Sequence, residues 1–220
     1  MCPTKMLTGL LRNNTMARVL ADTYSEEMLR EAYTGFQAYY RVRLEMKERT
    51  QGAIRCPNTP EDISENIIKF VIRNKVGVPS DWAKMVGRRG DLWSEVEHVQ
   101  ECKWITSEGP CSFGPTKDWD VIYFGDAREW LSDRLRVYRV ALKPKSSFWS
   151  MLRMSSTETF WDQCAQGRRP HISWEALHPQ LGDQCQLVYE GTFEGIFSNG
   201  TNLPAMSDTT GNETALPASE

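Results

Sequence analysis

Residues 87–103, Gly-Arg-Arg-Gly-Asp-Leu-Trp-Ser-Glu-Val-Glu-His-Val-Gln-Glu-Cys-Lys, place the tightest constraint on the chain. Asp91 follows a glycine, and ten positions later comes Glu101-Cys102-Lys103. Side chains at i and i+2 of a strand share one face. A strand over residues 99–105 therefore projects Glu101 and Lys103 together and buries Cys102 on the other side. If Asp91 starts the preceding strand of a hairpin, it folds back beside them. Two carboxylates and an ammonium on one face suit Mg²⁺, which takes oxygen ligands and keeps several waters. A lysine beside such an ion orients or deprotonates an attacking water. The same spacing also fits a solvent-facing hairpin with an i, i+2 ion pair, so the surrounding chain has to decide between the two.

The stretch resembles the PD-(D/E)XK nucleases, with Asp91 as the first acid, Glu101-Cys102-Lys103 as the (D/E)XK tripeptide and Gly90 where the family usually has proline. A second match follows in register. Ser112-Phe113-Gly114-Pro115, then Trp119, is similar to the segment after E-x-K in a subset of type II restriction enzymes. The resemblance spans roughly residues 60–200 and is strongest from 87 to 124. It implies an α/β fold with a restriction-endonuclease-like core, in which a mixed sheet of about five strands is flanked by helices. It further implies Asp91 and Glu101 as Mg²⁺ ligands, the backbone carbonyl of Cys102 as a third, and Lys103 positioning the water. Glu65, on the helix before the first acid, matches an auxiliary ligand. An i, i+4 ion pair with Lys69 is the competing reading of Glu65.

The elements predicted from pattern agree with that fold. Residues 14–20 read as a short helix. Ser25 caps a longer one to about residue 50, with Met28, Leu29, Ala32, Phe36, Tyr39, Tyr40, Val42 and Leu44 at helical spacing. This helix packs on the core; a phosphate-touching basic arm or a dimer helix is the alternative. Pro60 and the acids after it open a second helix with Ile63, Ile67, Phe70 and Val71 inward. Residues 121–124, 134–142, 172–174 and 186–193 read as strands. Residues 143–166 contain one or two short helices. Residues 1–200 are expected to form one nuclease domain: a helical part over 1–50 and a catalytic, DNA-reading core over 60–200. The tail from 201 to 220 is expected to be disordered.

Basic and polar residues near the acids supply candidate DNA contacts. Arg88 and Arg89 precede Asp91 and suit a phosphate or a guanine edge. Ser107, Ser112, Thr116 and Lys117 lie in a Gly/Pro-punctuated loop after the catalytic strand. Arg168 and Arg169, in Gly-Arg-Arg-Pro-His, form the best second basic cluster and suit guanine. Each arginine pair reads equally well as a solvated turn. His98, His171 and His178 form no metal-pair spacing.

A net charge of −3 in 220 residues is not that of a DNA-coating protein, although a local basic stripe matters more than the sum. Six cysteines without a C-x-x-C pair disfavour a zinc site. No signal peptide or long apolar run appears, so a soluble cytoplasmic protein with reduced thiols is expected. The leading expectation is an Mg²⁺-dependent type II restriction endonuclease. It acts on double-stranded DNA as a homodimer at a short palindrome, with a methyltransferase recognising the same site. A junction resolvase or repair nuclease of the same fold is the first alternative. A non-catalytic DNA- or protein-binding module, favoured by the net acidity, is the second.

Overall fold

A computed structural model describes residues 24–113 and 118–198. The residue 14–20 helix, Thr116, Lys117 and the 201–220 tail lie outside the described residues. Helix α1 (Glu26–Arg49) starts where Ser25 Oγ accepts a bond from the Met28 amide, with Glu26 and Glu27 in the first turn as the helix dipole favours. Its buried stripe is Leu29, Tyr33 and Phe36, with the Tyr33 ring stacked on Phe193 and Phe36 on Trp130. Met28, Tyr39 and Val42, expected inward from their spacing, are exposed. The core touches one side of this helix, and beyond Tyr40, which packs on Trp130, none of its residues is buried. Helix α2 (Glu61–Val71) is buried at every position from Ile63 onward, so its inward face is wider than the four residues expected. Lys69 is among them, and its ammonium donates to the Tyr24 carbonyl at 3.1 Å.

Eight strands follow: β1 (Asp81–Trp82), β2 (Leu92–Ser94), β3 (His98–Ile105), β4 (Cys111–Ser112), β5 (Val121–Asp126), β6 (Leu135–Val140), β7 (His171–Ile172) and β8 (Cys185–Gly191). The described residues also form three short α-helices, α3 (Ala83–Val86), α4 (Phe160–Ala165) and α5 (Trp174–Leu181), besides single turns of other helix types. The central sheet has six strands in the order β1-β2-β3-β5-β6-β8, one more than expected because β1 carries no periodic signal. Only β3 and β5 pair in parallel; the other neighbours are antiparallel. Trp174, expected to end a strand, instead opens α5, because Ser173 Oγ caps the Ala176 amide.

The sheet divides two apolar cores. On one face, α1 and α2 pack through Leu29, Ile67, Ile68 and Val71 against Cys102, Tyr123 and Val137. On the other, Ile122 and Phe124 meet Phe113, Trp119, Trp149, Phe160 and Trp174. Strand β5 is buried at all six positions because it feeds both cores, which explains its unbroken apolar run. Phe113 and Trp119, in the chain between β4 and β5, are core residues, packed ring edge to ring face.

Candidate active site

The hairpin of β2 and β3 builds the centre. Leu92 stands opposite Gln100 and Ser94 opposite His98, so Asp91 arrives beside Glu101. Gly90 makes this approach. Its φ of +89° is left-handed, and a Cβ there would lie 2.7 Å from Val99 Cγ1 and 3.2 Å from the Gln100 carbonyl. Proline, with φ fixed near −65°, has no place at that position. Asp91 is held at three atoms. Its amide donates to the Gln100 carbonyl at 3.2 Å, its carbonyl accepts from the Ala83 amide at 3.1 Å, and its Oδ2 accepts from the Cys102 amide at 2.8 Å.

Glu101 and Lys103 alternate with Cys102 along β3, as period two requires. The Glu101 side chain is 2% exposed, and Lys103 Nζ meets its Oε1 at 2.5 Å. The same ammonium donates to the Cys102 carbonyl at 3.1 Å. Cys102 itself faces the α1–α2 core, and burial, with nearby carboxylates, pushes its thiol well above the usual range.

Glu65 reaches the site from α2. Burial pushes its carboxyl up to about 7, the Trp82 indole N–H bonded to Oε2 pulls it back, and the Asp91 carboxylate pushes it up again. Lys84 Nζ lies 3.9 Å from Glu65 and 3.2 Å from Glu61. A cavity of about 230 Å³ is lined by Glu65, Asp91, Cys102 and Lys103. It adjoins a second of about 320 Å³ that shares Thr59, Lys103 and Trp104 and extends over Asn58, Ser107 and Ser112. The Trp104 ring forms the common wall, and it lies so close over Gly125 that a Cβ there would sit 2.3 Å from Cε3.

The remaining candidates divide. Ser107 and Ser112 line the larger cavity. Strand β7 pairs with β4, Ser112 opposite His171, so the Gly167–Pro170 segment and the loop after β3 are tied together despite their distance in sequence. Arg168 is ion-paired with Glu158 and holds that carboxyl below its usual range. Arg88 lies over the Trp93 ring at 4.7 Å, while Arg89 and Arg169 are exposed. His178 stacks on Trp174, so it belongs to the packing. His98 is an exposed hairpin residue with φ +54°.

Sequence reading missed Trp82, Lys84, Asn58 and Thr59. Residues 77–86 show no periodicity, and an indole donor acquires meaning only from the carboxylate it meets. Nothing in the local pattern announces that meeting.

A mixed six-stranded sheet, helices on its face, and an acid-acid-lysine hairpin opening on a cleft define a restriction-endonuclease-like protein. The Bsp6I restriction endonuclease family model matches residues 24–177, well over half of the chain, and the chain belongs to that family of type II restriction nucleases. No curated protein and no solved structure matches it.

Proposed function

We propose that the chain hydrolyses phosphodiester bonds of double-stranded DNA with Mg²⁺, at a short palindromic sequence, as a homodimer. The observation that carries this is the placement of Asp91. The Cys102 amide holds its carboxylate at a cavity lined also by Glu65 and Lys103, and the hairpin register sets Asp91 opposite Glu101. Oxygen-bearing side chains, Glu61, Ser64, Glu65, Asp91 and Thr59, dominate the lining of that cavity. Among the described residues, no three His, Cys, Asp or Glu side chains gather into a metal cage. Mg²⁺ sites are commonly built from one or two carboxylates with waters and substrate phosphate, and Asp91 and Glu101 fit that pattern, with the Cys102 carbonyl beside them and Glu65 further out. When bound, the ion would supply charge neutralisation at the phosphate.

The chain's own residues do the rest. Lys103, fixed between Glu101 and the Cys102 carbonyl, positions a water for in-line attack on phosphorus. The P–O3′ bond breaks as the new P–O bond forms. The attacking water loses its proton, and the departing O3′ takes one up, leaving 5′-phosphate and 3′-hydroxyl ends. Ser107 and Ser112 contact DNA across the larger cavity, and Lys117, Arg88, Arg89, Arg168 and Arg169 supply further DNA contacts. A duplex has two strands and each chain one site, so a two-fold pair is the economical geometry. A methyltransferase acting on the same sequence would protect the host's own copies.

Unmethylated plasmid incubated with Mg²⁺, followed by sequencing of the ends, tests the activity. Discrete fragments with a common end sequence are expected. Lys103→Ala should lower cleavage at least about 100-fold while leaving DNA affinity nearly intact. Asp91→Ala should abolish cleavage and weaken Mg²⁺ binding as well. Mg²⁺-dependent cutting at the wild-type rate by both variants would refute the assignment.

A further inference from the structure

Helix α1 carries a second apolar stripe that the other described residues leave uncovered. Met28, Tyr39, Val42 and Met46 are each between 40% and 54% exposed. With Gly35 they fall at intervals of seven, four, three and four residues, one line along a helix about 36 Å long. At 100° per residue this line runs roughly 110° round the helix from the buried Leu29–Tyr33–Phe36 stripe. The helix therefore has two apolar faces, and the core fills one.

Gly35 lies near the middle of the exposed line. A methyl group added there would meet no atom within 4 Å, and its φ lies outside the left-handed region. A glycine inside a helix weakens it, and nothing among the described residues demands one at 35. Close approach of another backbone is what a glycine at a helix crossing permits. The charges point to the identity of that other helix. Residues 26–37 hold Glu26, Glu27 and Glu31 against Arg30. Residues 38–49 hold Arg41, Arg43, Lys47 and Arg49 against Glu45 and Glu48. The first half is net negative by two and the second net positive by two. An antiparallel copy of the same helix sets each half against its opposite and aligns Met28 with Met46, with Gly35 near the crossing. A two-fold interface is self-complementary in this sense.

We infer that the exposed face of α1, centred on Gly35, Tyr39 and Val42, is the surface through which two copies of this chain associate. The inference rests on the homodimer reading above and adds the surface. Analytical ultracentrifugation of the full chain at micromolar concentration, with and without a DNA duplex, tests it. The wild type should sediment as a dimer. Val42→Glu, at an exposed position, should weaken association about 100-fold or more with an unchanged circular dichroism spectrum. Gly35→Leu should weaken association too, without loss of helix content. A wild-type dimer that both variants leave intact would overturn the surface while keeping the dimer. A wild type that stays monomeric, with DNA and without it, would overturn both.

Discussion

At the scale of single residues, Glu65 and Trp82 show how burial and one hydrogen bond set the charge of a carboxyl group. Glu65 is nearly excluded from solvent, and its carboxyl is pushed up to about 7 by burial before the Asp91 carboxylate adds to the effect. The Trp82 N–H acts the other way by donating to the charged form. A folded-state value above the unfolded one means that the folded chain binds the extra proton. Stability is therefore full below the unfolded value near 4.5 and declines as pH rises toward 7. Trp82→Phe keeps the packing and removes the donor, so the charged carboxylate becomes costlier. The variant should match the wild type closely in urea unfolding at pH 5 and fall behind by about 1.5–3 kcal/mol at pH 8. An equal deficit at both values would mean that the ring's packing matters and its N–H does not. No local pattern shows this pair in the sequence, because the two residues lie seventeen positions apart on different elements.

At the scale of elements, the β2–β3 hairpin is the working part on the proposed reading. Period two alone places Glu101 and Lys103 on one face and Cys102 on the other, and the structure follows it. Asp91 reaches them because the backbone turns through a left-handed φ at Gly90, where even a methyl group would press on Val99 and the Gln100 carbonyl. Gly90→Ala should cost about 1–3 kcal/mol of stability through that strain. It should also reduce cleavage by more than it reduces DNA binding, because Asp91 loses its bond from the Cys102 amide. Thermal unfolding, cleavage rate and DNA affinity measured on one preparation separate the two effects, and unchanged cleavage would show that Asp91 tolerates displacement. The hairpin was legible because its signal is local. The short β4–β7 ribbon, which joins Ser112 to His171, was not, because two-residue strands carry no periodicity and their pairing is a long-range fact. The exposed positions of α1 were misassigned for a related reason: spacing near three and four fits either of two faces, and only the packed structure says which one the core fills.

At the scale of the whole molecule, the two apolar cores were legible as composition, with their aromatic and branched residues evident, but their division by one sheet was not. That division fixes the cleft. Strand β3 buries Cys102 against α1 and α2 and carries Glu101 and Lys103 on its other side, so the polar residues of this strand dissolve neither core. On the proposed reading the acidic groups repel one another, and a divalent cation that bound only the folded chain would relieve that repulsion. Mass action converts binding into stability, by about 2.7 kcal/mol when the ion is at 100 times its dissociation constant. For a chain of this length each kcal/mol raises the unfolding midpoint by roughly 2–4 °C. Saturating Mg²⁺, or Ca²⁺ to hold chemistry back, should therefore raise the wild-type midpoint by about 5–10 °C. Asp91→Asn removes one of the repelling charges, so it should start from a higher midpoint in chelator and gain little from the ion. The experiment is differential scanning calorimetry of both proteins in EDTA and in excess metal. A wild-type midpoint indifferent to the ion, or an equal gain in the variant, would mean that Asp91 and Glu101 do not share a cation and that the cleft's charges serve another purpose.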